Sequence, residues 1–258
     1  MTIQLKNQRI LVTRNEPKAS EFAQQITQYG GQAVVTPLIK IDCQHQFIGH
    51  LEAYEWIVFT SANGVRCFFK NVEKAGKVDR LAAARFAVVG PKTKQALQAF
   101  GYHAEFIPSR YDAKTMAPEF LEKYQPTGRV LLVQGQLSRP ILEEALQMEK
   151  VPFDSMKVYD TVTNGEAKAQ LKEVLGRYPL DFITFMSPST VDAFVELTGE
   201  TGGEIQSPIV CIGTTTEKRA RRHGFQTILV PDEFTMEGMM EKMHEYITDI
   251  ERGESYVK

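Results

Sequence analysis

The stretch FAVVGPKTKQALQAFGYHAEFIPSRYDAKTM, Phe86 to Met116, has a counterpart later in the same chain, IVCIGTTTEKRARRHGFQTILVPDEFTMEGM, Ile209 to Met239. Gly90 and Gly213, Gly101 and Gly224, and Pro108 and Pro231 each stand 123 residues apart. Both stretches open on four apolar residues, turn at a glycine, continue with helical spacing to a second glycine, and enter another apolar run before a proline. Short apolar runs alternating with segments of helical period are the pattern of parallel strands and crossover helices.

Outward from that pair the match continues. WIVFTSANGV (Trp56–Val65) and FITFMSPSTV (Phe182–Val191) place Ser61 and Ser187 126 residues apart, and RILVTRNEPKASEF from Arg9 faces RVLLVQGQLSRPIL from Arg129 at an offset of 120. Three blocks in one order at nearly one offset mark an internal duplication of an α/β unit. The first copy predicts strands near Arg9–Thr13, Ala33–Thr36, Trp56–Thr60, Phe86–Val89 and Ala104–Ile107, with helices over Pro17–Tyr29 and Lys92–Phe100 that stop at glycines. Runs such as WIVF and FAVV are apolar throughout, as strands covered on both faces are. The expected fold is therefore α/β: two flavodoxin-like doubly wound parallel-sheet domains joined by a two-stranded extended linker.

LIKID (Leu38–Asp42) and KVYDT (Lys157–Thr161) fit inside neither copy and read as extended connectors that pair with each other. If both are crossings, residues 43–156 form a continuous domain, residues 1–37 plus 164–258 a discontinuous one, and residues 38–42 and 157–163 the connector strands, about which the domains are expected to flex. Met236, Met239, Met240, Met243 and Ile247 fall at helical spacing and read as core packing.

Composition narrows the function classes. Thirty Lys and Arg against 32 Asp and Glu leave a net charge of −2, which offers no general attraction to nucleic acid or a membrane surface. No run of 18 apolar residues and no signal-peptide pattern occurs, so a soluble, cytoplasmic protein is expected. Three scattered cysteines, Cys43, Cys67 and Cys211, are expected as buried thiols in a reducing compartment rather than a disulfide framework. Nucleotide-binding, hydrolase and zinc-protease signatures are missing. Cys43, His45 and His50 lack a second cysteine at ligand spacing, so no metal and no cofactor are expected.

The turns carry the chemistry. A strand that ends in Ser or Thr and leads into a helix presents free backbone N–H groups and the positive end of the helix dipole, a ready cradle for an anion. Four such ends occur: Ser61-Ala62-Asn63 after Thr60, Gly90-Pro91-Lys92-Thr93, Ser187-Pro188-Ser189, and Gly213-Thr214-Thr215-Thr216. Thr13 and Arg14 follow the first strand, and Arg14 is the best-placed of the nearby cations Arg14, Lys92, Arg139 and Lys218. Each turn read alone is also an ordinary helix cap. Because open α/β sheets bind ligands beyond the carboxyl ends of their strands, two such domains predict a two-walled site for a ligand with several anionic groups. For proton transfer the candidate is Tyr159, which reads equally as the anchor of a connector strand.

Taken together, VTR at Val12–Arg14, FTSANGV at Phe59–Val65, VVGPKT at Val88–Thr93, VYDT at Val158–Thr161, FMSPSTV at Phe185–Val191 and IGTTT at Ile212–Thr216 resemble the uroporphyrinogen-III synthase family over essentially the whole chain. Three positions depart from the family's commoner pattern: Asn15 stands where many members carry Pro, Asn63 where some carry a basic residue, and Thr214 where Pro is usual. The resemblance implies a monomeric enzyme without metal or organic cofactor that closes hydroxymethylbilane, a linear tetrapyrrole with eight carboxylates delivered by hydroxymethylbilane synthase. It implies loss of a hydroxyl, attack through a spiro intermediate and inversion of the last ring to give the type III isomer. By similarity Tyr159 assists departure of the hydroxyl, a role open to a phenol because its O–H can donate a hydrogen bond. The same similarity places Thr13, Arg14, Ser61, Ala62, Asn63, Gly90, Lys92, Thr93, Ser187, Pro188, Ser189, Gly213, Thr214, Thr215 and Thr216 against the substrate, with backbone N–H groups holding its carboxylates. The same cradles would also serve a non-enzymatic two-domain binding protein for an anionic small molecule. A two-domain glycosyltransferase is disfavoured, since no glycine-rich turn suits a pyrophosphate.

Overall fold

The structure is a computed structural model and describes residues 3–45, 49–177, 179–200 and 202–253. Its strands are β1 (Arg9–Val12), β2 (Gln32–Val35), β3 (Ile39–Cys43), β4 (Tyr54–Phe59), β5 (Arg85–Val88), β6 (Arg129–Gly135), β7 (Phe153–Thr163), β8 (Phe182–Phe185), β9 (Ile209–Cys211) and β10 (Ile228–Leu229). The helices are α1 (Lys18–Gln28), α2 (Ala62–Lys74), α3 (Pro91–Gln98), α4 (Ala113–Tyr124), α5 (Ile141–Met148), α6 (Ala167–Arg177), α7 (Pro188–Thr198), α8 (Thr214–Arg222) and α9 (Met236–Glu251). The chain divides into two compact units, one of Met1–Lys40 with Val162–Lys258 and one of Ile41–Thr161. The boundaries fall inside β3 and β7.

In the discontinuous unit the sheet order is β2-β1-β8-β9-β10, with every pair parallel. Counted within the unit this is 2-1-3-4-5, the flavodoxin-like order. Side chains alternate across the sheet as the pleat requires. Leu11, Ile183, Phe185, Ile209 and Cys211 point to the face covered by α6, α7 and α8, where Leu171, Phe194 and Ala220 meet them. Ile10, Val12, Phe182 and Val210 point to the other face, under Phe22 and Ile26 of α1 and Met239, Met240 and Met243 of α9. The methionine stripe is thus core, as its spacing predicts. Both faces being covered explains why these strands are apolar nearly throughout, Thr184 of β8 being a buried exception.

In the continuous unit the order is β3-β7-β6-β4-β5, and β7, β6, β4 and β5 run parallel. Ile57, Phe59, Leu131 and Val133 pack under α2 and α3, whereas Trp56, Val58, Val130 and Leu132 pack under α4 and α5. Strands with repeated sequence follow one another in the same order in the two sheets, β1-β8-β9 in one and β6-β4-β5 in the other. Each compact unit therefore draws strands from both repeats.

Three expectations are corrected. The strand at 104–107 is reduced to one bridge, Ala87 with Phe106. It lies at the sheet edge between the Gly101 turn and Pro108, which has no N–H to continue a ladder. The connector KVYDT is the second half of an eleven-residue strand, β7, whose first half pairs with β6 from Phe153 to Lys157. The corresponding stretch of the first repeat is split into β2 and β3 around Pro37, again because a proline interrupts the ladder. β3 lies beside β7 and runs against it, with Gln44 N–H donating to Val158 O and Asn164 N–H to Leu38 O.

The cysteines are the third. Cys43 and Cys67 form a disulfide with their Cα atoms 5.2 Å apart, and only Cys211 is a buried free thiol. The end of β3 lies against α2, where the buried Asn71 side chain also donates to Gln44 O at 2.8 Å. Sequence spacing alone gave no sign of that contact. The pair removes the basis for reading a reducing compartment from these two residues.

Candidate functional site

In the continuous unit the site begins where β4 ends. Ser61 is extended (φ −155°, ψ 154°) and caps α2, its Oγ accepting from Gly64 N–H at 3.0 Å. The N–H groups of Ala62 and Asn63 belong to the first turn, where an α-helix supplies no partner of its own. Arg66 donates to Asn63 Oδ1 at 3.2 Å, which brings a cation to this turn.

Tyr159 reaches this turn from β7. The β6–β7 register runs Gln134 opposite Lys157 and then Gly135 opposite Tyr159, so Val158 is an extra residue in the ladder. A bulge of this kind re-aims the side chain that follows it. The Tyr159 Oη ends 3.0 Å from Ser61 Oγ. The ring lies over Gly135, where a Cβ would stand 2.6 Å from Cζ and 2.8 Å from Oη. Any residue larger than glycine at 135 would displace the phenol. Gly135 was not picked out from sequence; the signal available was a glycine closing an apolar strand.

Tyr159, Asp160 and Thr161 line a cavity of 160 Å³ together with Gly135 and the loop Gln136-Leu137-Ser138. Two hydroxyls in contact hold two protons, of which one is used between them. Ser61 Oγ already accepts from Gly64, so whichever oxygen donates across the pair, one O–H remains for a ligand. The second turn of this unit follows β5. Gly90 precedes Pro91, whose missing N–H costs nothing at a first helical position, and Lys94 N–H closes on Gly90 O at 3.0 Å. Lys92 is exposed, while Thr93 is buried. The structure thus gathers Ser61, Ala62, Asn63 and Tyr159 at one point, with Gly90, Lys92 and Thr93 at the end of the adjoining strand.

In the discontinuous unit the candidates again follow strand ends. Thr13 closes β1, but it is fully buried and its Oγ1 donates to Thr184 O at 2.6 Å, while Thr184 Oγ1 donates to Leu11 O at 2.8 Å. Its hydroxyl ties β1 to β8 and is not presented to a ligand. Arg14 is partly buried; burial lowers its pKa and Glu21 opposes the shift, and the guanidinium keeps its charge at neutral pH. Ser187, at the start of α7, shares a hydrogen bond with Ser189 at 2.9 Å, and its N–H donates to Thr190 Oγ1 at 3.3 Å. Pro188 is the first helical residue. Gly213 precedes α8 with Thr214 and Thr215 exposed and Thr216 buried. The N–H groups of Thr216 and Glu217 both turn back to Gly213 O, leaving those of Thr214 and Thr215 in the free first turn.

A larger cavity of 910 Å³ in this unit is lined by Gln8, Asp181 and Pro208, at the amino ends of β1, β8 and β9. It carries none of the candidate residues and lies at the end of the sheet where such folds do not bind ligands. Among the described residues no group of three His, Cys, Asp or Glu side chains gathers for a metal, and no helix is long and apolar enough to cross a membrane.

With this geometry, the comparisons are specific. The porphyrin biosynthesis protein HemD of Ruminiclostridium josui is 27% identical over 244 residues, covering 92% of this chain and 48% of that protein. The chain thus spans about half the length of that relative. The uroporphyrinogen-III synthase of Chlorobaculum parvum is 29% identical over 230 residues, covering 87% of this chain and 93% of that one. The crystal structure of uroporphyrinogen-III synthetase from Helicobacter pylori shares the fold, with a TM-score of 0.61 at 16% identity over 91% of this chain and 97% of that one. The family model described as uroporphyrinogen-III synthase HemD matches residues 20–241, and on that match the chain belongs to the uroporphyrinogen-III synthase family of porphyrin biosynthesis.

Proposed function

We propose that this chain is a cyclising hydro-lyase that closes hydroxymethylbilane to uroporphyrinogen III with loss of water. The observation that carries the reading is the Tyr159–Ser61 pair, 3.0 Å apart at the edge of the Tyr159 cavity, in a chain with this family match. The spare O–H of the pair donates a proton to the terminal hydroxyl as its C–O bond breaks, so that water leaves and an azafulvene cation forms. The substituted carbon of the last pyrrole attacks that cation to give a spiro centre. One bond of the spiro centre breaks, and the freed ring recloses through its unsubstituted carbon. That carbon loses a proton, which restores the one lent to the leaving water.

Selectivity then rests on orientation. The bilane alone closes to the uninverted type I ring, so the protein must hold a fold of the chain that favours attack at the substituted carbon. The first turns of α2, α3, α7 and α8 supply the N–H groups that hold its carboxylates, with Arg14 and Lys92 as cations nearby. On this reading the protein acts as a monomer and takes its substrate from hydroxymethylbilane synthase. Chromatographic separation of the uroporphyrin isomers formed with and without the protein tests the proposal. Predominant type III is expected; type I alone from folded protein overturns it and favours a binding protein that uses the same cradles.

A further inference from the structure

Gly90 and Gly213 have extended backbones, φ −173° and −177°, which any residue adopts, so torsion does not call for glycine at either place. What occupies the space is an aromatic ring. A Cβ on Gly90 would stand 3.2 Å from Tyr111 Cβ and 3.6 Å from its Cγ; one on Gly213 would stand 3.2 Å from Phe234 Cγ and 3.3 Å from its Cδ2. Tyr111 and Phe234 are 123 residues apart, as Gly90 and Gly213 are. The arrangement is the same one twice, an aromatic side chain seated on the glycine that starts a helix.

Both rings remain open, Tyr111 at 64% and Phe234 at 59% exposure, among the few large apolar side chains so exposed. Each directly precedes a helix cap, Asp112 of α4 and Thr235 of α9. An apolar residue there can staple itself to the fourth helical residue, here the buried Met116 and Met239. A staple accounts for one edge of each ring and not for the uncovered part. An open aromatic face beside free N–H groups matches a ligand that is itself a flat ring carrying acidic arms.

We propose that Tyr111 and Phe234 are stacking platforms, each holding one pyrrole of the substrate flat while the adjacent first turn, Lys92-Thr93 or Thr214-Thr215, takes a carboxylate of that pyrrole. This rests on the function proposed above and assigns two contacts within it. The test compares Tyr111→Leu and Phe234→Leu, which keep apolar bulk for a staple but remove the ring, with Tyr111→Phe and Phe234→Tyr, which keep the ring. KM, kcat, the type III fraction and the thermal unfolding midpoint are measured for each beside the unaltered chain. The leucine variants are expected to raise KM roughly threefold to tenfold and to lower the type III fraction, with the midpoint held and the ring-keeping variants normal. Leucine variants with unaltered KM and isomer ratio, or with only a lower midpoint, overturn the platforms while leaving the enzyme reading intact. An unaltered chain that yields no type III product overturns both.

Discussion

Tyr159 Oη and Ser61 Oγ lie 3.0 Å apart, and the phenol can reach that position only because residue 135 is a glycine. A methyl group there would stand 2.6 Å from Tyr159 Cζ, well inside contact distance. Gly135→Ala is therefore expected to fold and to lose about a hundredfold in kcat, as a displacement of about 1 Å at a reacting group does. Circular dichroism and steady-state kinetics on the same sample check both halves. Normal kcat in folded Gly135→Ala would show that the position of the phenol does not matter.

Ser61→Ala should be milder. It removes the cap of α2 at a cost of about 1 kcal/mol, and one hydrogen bond to Tyr159, worth roughly twofold to tenfold in rate. The first-turn N–H groups and the phenol survive. Denaturant unfolding and kcat measure the two effects separately; complete loss of activity in folded protein would mean that Ser61 itself supplies the proton.

The cysteines give a stability test. Reduction of Cys43–Cys67, or Cys43→Ser, frees a loop whose ends are 24 residues apart in sequence, and should lower the unfolding free energy by about 3 kcal/mol. Burial, with a smaller contribution from Glu217, pushes the Cys211 thiol up to about 12, so it stays protonated and unreactive in the folded chain. Iodoacetamide should label no site in oxidised, folded protein and only Cys211 once it is unfolded. Rapid labelling of folded protein would contradict the pairing, the burial or both.

Asp192 of α7 accepts from His223 at 2.8 Å and from Arg219 Nη2 at 2.8 Å, both at α8. Burial alone would raise its pKa, but the hydrogen bonds from His223 and Arg219 outweigh burial and hold it below the ordinary 3.8. A carboxylate held low in the folded state stabilises above its unfolded pKa, and the stabilisation disappears as pH falls through the folded value. Asp192→Asn should therefore melt lower at neutral pH, with the gap to the unaltered chain closing below about pH 4. Thermal midpoints across that range decide it; a gap independent of pH would mean the charge is not responsible.

The strands and helices around both sets of turns were legible because their signals are local. Apolar runs of four, glycines at helix ends and a repeat at offsets of 120 to 126 need no knowledge of what packs where. The split of β2 from β3 at Pro37 against an unbroken β7 was open to the same reasoning. What was not legible depends on contacts between residues far apart in the chain. Cys43 meets Cys67 because β3 ends on α2, and Tyr159 meets Ser61, 98 residues earlier, because a bulge at Val158 turns it toward Gly135. Thr13 looked like a ligand contact for the converse reason: nothing local announces that Thr184 will take its hydroxyl inward.

The most direct measurement of the central claim is the ratio of type III to type I uroporphyrinogen formed from hydroxymethylbilane by the unaltered protein and by Tyr159→Phe, which keeps the ring over Gly135 and removes only the phenol oxygen. Predominantly type III product from the unaltered chain, with a fall in its rate of formation of about a hundredfold in the variant, is the predicted result. Type III product formed at full rate by Tyr159→Phe would contradict the assignment of proton transfer to the Tyr159–Ser61 pair and leave orientation of the substrate as the source of catalysis.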